Sequence, residues 1–418
     1  MIKRIDGVTL LTLFPALFGL ATLLYVILRY VVVDVGEAGG HDFRYYYILA
    51  SMLRDGIDYA ALSSSEFIAL ADGYLQGASY PQDSPDVVYH TPTLLIALIP
   101  LSYLSPHIAG AVWGVISLVL YLLAIWYLLR AVWDTLPQNE MKQILFGSCA
   151  LFLAAIYYPF HLGLHLGQVD ILIFFFLCLS YYHLIHGNIL LSGVFAGLLC
   201  CVKPAAVLLL PFYLMHRRSL LGVVIIGVLS LASVLFFLGA DFFENYLARV
   251  FLTTDYFFQR KLLGIGNISL LAFIGRFLDV SSDYYSALKW LSHLFALACL
   301  VAMAYLGRLN ATRLRGGVDF LLPLAVCVWM LAVPQMEVTY MILALIPMLV
   351  LMTKAFDMPT RSLFVMCLAM LLLSLTYSFD RFELFQSGIF SLFKATHILA
   401  VLAVGFLLWA EIRREKNG

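Results

Sequence analysis

Asp42 lies in the stretch HDFRYYY, residues 41–47, just beyond the first long apolar run from Val8 to Val33. A carboxylate held beside aromatics at a membrane surface is placed where a general base for a lipid-linked substrate would stand. His41 and Arg44 are neighbours that could tune or orient it. Spacing alone reads equally well as a solvated acidic loop or a helix N-cap, and Asp34, Glu37, Asp55 and Asp58 are rival carboxylates.

Further along, Lys203 sits inside the apolar run LLCCVKPAAVLLLP. An ammonium there is costly unless it faces a cavity or a partner, and a phosphate is one natural partner for such a point charge. Pro204 behind it suggests a break in the helix. A snorkelling or structurally paired lysine is the other reading. In HLGLHLGQVD, residues 161–170, His161 and His165 stand one helical turn apart. That spacing can ligate a metal on a regular helix, but Gly163 and Gly167 argue against one, and a polar turn carrying Gln168 and Asp170 is the plainer reading. Asn267 and Ser269 follow a glycine pair, with Arg276 on the same helical face two turns beyond Ser269. Asn267 suits a helix N-cap, and Arg276 could grip a phosphate. Finally, VPQMEVTY, residues 333–340, breaks an apolar region and sets Glu337 and Tyr340 one helical turn apart, where an ordinary turn would also explain them.

The elements that must position these groups are helices in a membrane. The chain is 63% hydrophobic and 12% charged, with mean hydropathy +0.95, about half the charged fraction of soluble domains. It is read as all-α and polytopic, a single multi-pass domain over 1–418. About twelve spans are expected, near 8–33, 90–104, 107–129, 143–161, 168–186, 189–215, 219–239, 286–307, 318–335, 338–353, 361–378 and 389–410. The first is too long for a signal peptide and is taken as retained. Two large loops are expected at 34–89 and 240–285, the first holding amphipathic helices at 42–54 and 64–76 that lie on the membrane.

Basic residues assign the sides. Lys3, Arg4, Arg217, Arg218, Arg308, Arg413 and Arg414 all fall on the cytoplasmic side of a twelve-span count, with both termini there and both large loops outside. Arg130 and Lys142 are the misfit, in a loop assigned to the outside. The same count puts Gln168 on the side opposite Asp42 and Lys203 past the middle of the sixth span. Were the short second segment not a full crossing, Gln168 would rejoin Asp42, at the expense of moving Arg217 and Arg218 outside. The twelve-span version is preferred.

Equal numbers of basic and acidic residues, 25 each, give no basic surface for nucleic acid. The seven cysteines lie in or near apolar runs and make neither a disulfide nor a metal framework. No glycine-rich nucleotide loop is present.

Taken in order, these stations resemble glycosyltransferase family 87, membrane mannosyltransferases of the GT-C type that use polyprenyl-phosphate-linked sugars. The resemblance rests on Asp42-Phe43 with Tyr45, Tyr46 and Tyr47; on Gly56 and Tyr59; and on Tyr89-His90-Thr91-Pro92 with LIPLSYL behind it. It continues through Gly167-Gln168-Val169-Asp170; Gly193, Gly197 and Lys203 with Arg217-Arg218; Gly266-Asn267-Ile268-Ser269 with Arg276; and Pro334 with Tyr340. Asp170 departs from the family's usual Asn, Ile268 from its usual Gln, and Glu337 and Thr339 stand where Trp and His are common.

The resemblance implies an inverting transfer of mannose or another hexose to a lipid or glycan acceptor. Asp42 would be the base. His41, Arg44, Tyr45, Tyr89, His90, Gln168, Lys203, Asn267, Ser269, Arg276, Glu337 and Tyr340 would line the substrate sites. No metal or other cofactor is implied. The setting implied is a bacterial cytoplasmic (inner) membrane with the active site on the extracytoplasmic face. A secondary transporter or lipid flippase is the alternative, but no paired repeats or matching broken helices are legible. A catalytically inactive relative acting in assembly is a third.

Overall fold

The computed structural model describes residues 7–26, 28–29, 40–75, 90–136, 139–256, 267–277, 285–313, 319–333, 336–355, 358–375 and 396–417. Among them every regular element is helical. The helices are α1 Gly7–Val26, α2 His41–Arg54, α3 Ser64–Tyr74, α4 Pro92–Leu98, α5 Pro106–Trp133, α6 Glu140–Ile156, α7 Tyr158–Leu166, α8 Asp170–Ile185 and α9 Ile189–Val202. They continue with α10 Leu210–Leu214, α11 Arg217–Tyr256, α12 Leu270–Phe277, α13 Tyr285–Arg313, α14 Leu321–Ala332, α15 Leu345–Met352, α16 Thr360–Leu375 and α17 Thr396–Asn417.

Four described helices are long and apolar enough to cross a membrane: Pro106–Trp133, Arg217–Val250, Ser286–Ala311 and Thr396–Arg414. The pair α6 and α7, bent by 41°, makes a fifth. Leucines and phenylalanines exposed along α11, α13 and α17, such as Phe236, Leu294 and Phe406, are the surface expected against lipid.

The segment 189–215, read as a single span, is a hairpin instead, and the two spans read at 318–335 and 338–353 pair as a second one. α9 runs antiparallel to α8: Lys203 meets Asp170 at one end, and Ser180 donates to the Ser192 carbonyl further down, at 2.9 Å. α11 then starts beside the start of α9. A Cβ on Gly222 would strike the backbone of Leu190 and Val194, and one on Gly193 the backbone of Ser219. The chain must therefore turn back at Lys203-Pro204 and descend through a 3-10 turn, Pro204–Leu209, and α10. α9 has 14 residues, about 21 Å of rise against a hydrocarbon core of about 30 Å. The second hairpin climbs in α14 and returns through the 3-10 segment Val338–Ala344 and α15, with Val333, Met336 and Glu337 near its tip. The Lys354 ammonium lies 5.5 Å from the Phe320 ring at its base. Nearly all of its side chains are buried. The tips meet: Trp329 Nε1 donates to the Ala205 carbonyl at 2.9 Å.

The segment at 90–104 is also short, a helix of 7 residues followed by a 3-10 turn of 5. Its failure to cross and the turn-back at Lys203 cancel in the count of sides. Gln168 thus stands at the Asp42 end while Arg217 and Arg218 stay at the opposite end. Arg130 closes α5 at that opposite end too, where Tyr127 packs on Tyr182 at 5.1 Å, so the misfit of the twelve-span count disappears. Broken helices are present, one of them at the Pro204 break that the sequence suggested.

α2 and α3 fall where amphipathic helices were expected, but α2 does not lie on a surface. Phe43 and the whole run Tyr46–Leu53 are buried, because α2 is wedged between the 92–103 segment and α5. The second expected loop, 240–285, begins instead as a continuation of α11 beyond a kink at Gly239, φ 85°.

If α9 and α11 touch through glycine, Gly222→Leu should destabilise the protein by about 1–3 kcal/mol or more. Gly227→Leu, where an added Cβ meets nothing within 4 Å, should be near neutral. Thermal unfolding in detergent compares them; equal midpoints would contradict the packing.

Candidate active site at the end of the bundle

Asp42 enters the first turn of α2 behind Gly40, whose φ of 85° suits glycine. A Cβ on Gly40 would also collide with the His165 carbonyl oxygen and approach the Leu166 carbonyl carbon to 2.6 Å. Glycine therefore lets the start of α2 press against the turn that ends α7. That turn is itself closed by Gly167 in the left-handed region, φ 71°, with the Gln168 N–H returning to the Gly163 carbonyl at 2.8 Å.

The contact carries a directed chain of hydrogen bonds. Tyr46 Oη, one helical turn after Asp42, donates to Gln168 Oε1 at 3.2 Å, and Gln168 Nε2 donates to Asp42 Oδ2 at 2.5 Å. The phenol's donation fixes which end of the amide faces the carboxylate. Asp42 Oδ1 lies 3.6 Å from His41 Nδ1, with 30% of the Asp42 side chain exposed. One carboxylate oxygen is thus held by Gln168 and the other lies toward His41. Arg44, half-buried, lies about 200° around the helix from Asp42, away from the Asp42–Tyr46 face.

Beneath this chain His90 is buried, its ring edge-on to Tyr46 at 4.5 Å and its carbonyl accepting from Tyr246 Oη at 3.1 Å. The ring of Tyr45 is 6.2 Å from His90 and also 6.2 Å from Phe67. Trp113, which the sequence did not single out, stacks on Phe43 at 5.8 Å and donates Nε1 to the Gly167 carbonyl at 2.9 Å.

Lys203 is not an uncompensated cation. Its Nζ bonds Asp170 Oδ1 at 3.1 Å, with side chains only 10% and 1% exposed, and it stands 3.8 Å from the centre of the Tyr340 ring. Asp170 is the missed residue. It opens α8, 33 positions from its partner, and no local pattern signals the pairing. Glu337 stands near enough to act electrostatically on Lys203, Tyr340 and Tyr46.

Asn267 and Ser269 brace the second hairpin. Asn267 Oδ1 accepts from the N–H groups of Ser269 at 3.0 Å and Met336 at 3.1 Å, and the Ile268 N–H donates to the Met336 carbonyl at 2.7 Å. The cap of α12 is Ser269, whose Oγ accepts from the Ala272 N–H at 3.1 Å, rather than Asn267. Arg276 Nη1 donates to the Asn267 carbonyl at 2.9 Å. His161 spends a ring nitrogen on the Ala155 carbonyl at 2.6 Å. Tyr89, Gly266 and Pro334 lie outside the described residues.

The structure therefore brings Asp42, Gln168, His90, Lys203, Glu337 and Tyr340 to one end of the bundle, with Asn267, Ser269 and Arg276 supporting the second tip. An all-helical membrane protein with a carboxylate poised at the bundle end and buried polar groups behind it has the form of a membrane enzyme. The sequence matches the family described as glycosyltransferase family 87 over residues 89–334. That is more than half of the chain, which belongs to this family and is a membrane glycosyltransferase. No curated protein matches it.

The Asp170–Lys203 pair makes a direct prediction. Lys203→Met or Asp170→Leu alone should each cost about 3–5 kcal/mol by stranding a buried charge, and the double variant should recover much of that loss. Denaturant unfolding in detergent reads this cycle. Strictly additive losses would mean that the pair is not coupled.

Proposed function

We propose that the protein transfers a hexose, mannose being the first candidate, from a polyprenyl-phosphate carrier to a hydroxyl of a lipid or glycan acceptor. The supporting observation is the Asp42 carboxylate, part-exposed, fixed through Oδ2 by Gln168 and with Oδ1 3.6 Å from His41 Nδ1. In this reading Oδ1 takes the proton of the acceptor hydroxyl as its oxygen attacks the anomeric carbon. The bond from that carbon to the phosphate oxygen breaks, and the lipid phosphate leaves as an anion. Attack from the face opposite the leaving group inverts the anomeric centre. The leaving group is already a phosphate ester, so the step draws on no nucleotide and no metal or other cofactor.

Gln168 acts by position, holding the carboxylate in the rotamer that sets Oδ1 beside His41. Tyr45 and His90 form the wall beside the base, with Arg44 and Tyr89 near it in sequence. Lys203 is matched by Asp170 and Tyr340, so its field at the donor phosphate is softened. The pair's first service is to hold the hairpin tips, with Glu337 at their edge. Arg276 and Asn267 support the same edge.

Arg130, Arg217, Arg218, Arg413 and Arg414 gather at the end opposite Asp42, which by the positive-inside rule makes that end cytoplasmic and the Asp42 end extracytoplasmic. The setting proposed is a bacterial inner membrane. The meeting hairpins are the one feature that favours a carrier, since transporters build sites from broken helices. Family membership outweighs it.

Transfer from a radiolabelled polyprenyl-phosphate mannose into native membranes tests the reading. Asp42→Asn should lower turnover by about 10²–10⁴-fold, the usual worth of a general base. Equal transfer by both proteins would remove Asp42 from the chemistry, and no transfer by the wild type from any such donor would favour the carrier. Gln168→Leu should lower turnover by about 10- to 100-fold, the worth of a hydrogen bond to a charged group. An unchanged rate would end its positioning role.

A further inference from the structure

A second cavity opens at the other end of α2. It has a volume of about 270 Å³ and is lined by Tyr47, Arg54, Tyr74, Tyr103 and Ser105 with the Gly73 backbone. This is below the range of about 300–1,000 Å³ typical of drug-sized pockets, a space for one sugar ring. Its walls are held by polar bonds among three elements. Arg54 Nε and Nη2 grip Asp55 at 2.7 and 3.0 Å, and Nη1 donates to the Ser102 carbonyl. Tyr74 Oη donates to Asp55 Oδ2 at 2.8 Å, and Tyr47 Oη to the Leu104 carbonyl at 2.8 Å. The Arg54 bond holds the Asp55 carboxyl below the usual carboxylate range. Burial, reinforced by the bond to Asp55, pushes the Tyr74 phenol up to about 12. Arg54 and Asp55 therefore stay paired near neutral pH, and the cavity carries no net charge.

The chemistry left over is that of a carbohydrate subsite. The Tyr103 ring is 72% exposed, with the Arg54 guanidinium 5.4 Å from its centre. Of the five N–H groups of a guanidinium, Arg54 uses three here, leaving two to donate, while Asp55 keeps lone pairs to accept. Paired donors and acceptors beside an open aromatic face match the hydroxyls and C–H face of a pyranose. A balanced charge disfavours a phosphate.

We propose that this cavity binds a neutral hexopyranose unit of the acceptor. This rests on the glycosyltransferase reading for the word acceptor, but not for the binding itself. Tyr47 is about 8 Å and Arg54 about 18 Å along the helix from Asp42, so the bound unit is not the one that is glycosylated. The acceptor then carries a glycan that runs along α2, and binding energy from the remote unit is available to align the attacking hydroxyl.

The test is calorimetric or saturation-transfer titration of the full chain in detergent with methyl α-mannopyranoside, methyl β-glucopyranoside and methyl β-galactopyranoside. It is run in the Asp42→Asn background, so that it is independent of turnover. At least one glycoside should bind saturably. Tyr103→Ala should weaken it by about three- to tenfold, the worth of one stacking ring, and Tyr103→Trp should retain it. Three outcomes overturn the proposal: none of the glycosides binds, binding ignores Tyr103→Ala, or inorganic phosphate binds where the glycosides do not. Any of these would leave the role of Asp42 in transfer standing, just as a failed transfer assay would leave this cavity's ligand unaffected.

Discussion

The buried pair of Asp170 and Lys203 is the constraint on which the active end depends. Two opposite charges at 3.1 Å, almost wholly out of solvent, are stable there only together, because either one alone would keep its full desolvation cost. The pairing fixes the tip of the first hairpin to the first residue of α8. Gln168 stands two residues before Asp170, so the same contact sets the height at which the amide meets Asp42. Tyr340, against the ammonium at 3.8 Å, brings the second hairpin to that level. A membrane interior lacks water to relieve a mismatch, which makes the geometry hard to shift by small amounts.

Close backbone approach does the rest. Gly40 seats α2 on the turn after α7, Gly193 and Gly222 bring α9 and α11 together, and a Cβ on Gly307 would collide with the Phe212 backbone. In lipid, helices gain little from hiding apolar side chains from one another, so small residues and interhelical hydrogen bonds carry their association. The Thr93–Ser230 hydroxyl contact and the Ser180–Tyr213 bond at 2.9 Å are of this kind.

Much of this was legible in the sequence, but not which groups share an end of the bundle. Composition disclosed a helical membrane protein, and the type and place of Asp42 marked it as the candidate base. Tyr46, one turn after Asp42, was visible as part of an aromatic run, but not as the donor that orients Gln168. The hairpins were hidden because a hydropathy window measures apolar length and cannot tell a crossing from a descent and return. The signal was Pro204 after Lys203, which did suggest a break. What was missing was the partner: Asp170 is 33 residues from Lys203, and Gln168 is 126 from Asp42. Pairings at such separations follow from packing and leave no local periodicity.

On the proposed reading, the two ends of α2 divide the work of the enzyme. At its first turn Gly40 presses α2 against the turn after α7, and Gln168 holds Asp42, whose side chain is 30% exposed. At its last turn Arg54, 22% exposed and paired with Asp55, stands beside the open ring of Tyr103. A base gains from rigidity, since alignment lost in the transition state is lost in rate. Recognition of an acceptor gains from an open, wettable rim that a glycan can enter. One helix joining the two makes the distance between recognition and chemistry a fixed property of the fold, set by the helical rise. A change in acceptor can then be met at the outer rim without disturbing the carboxylate, provided the Asp170–Lys203 pair keeps the base end in place.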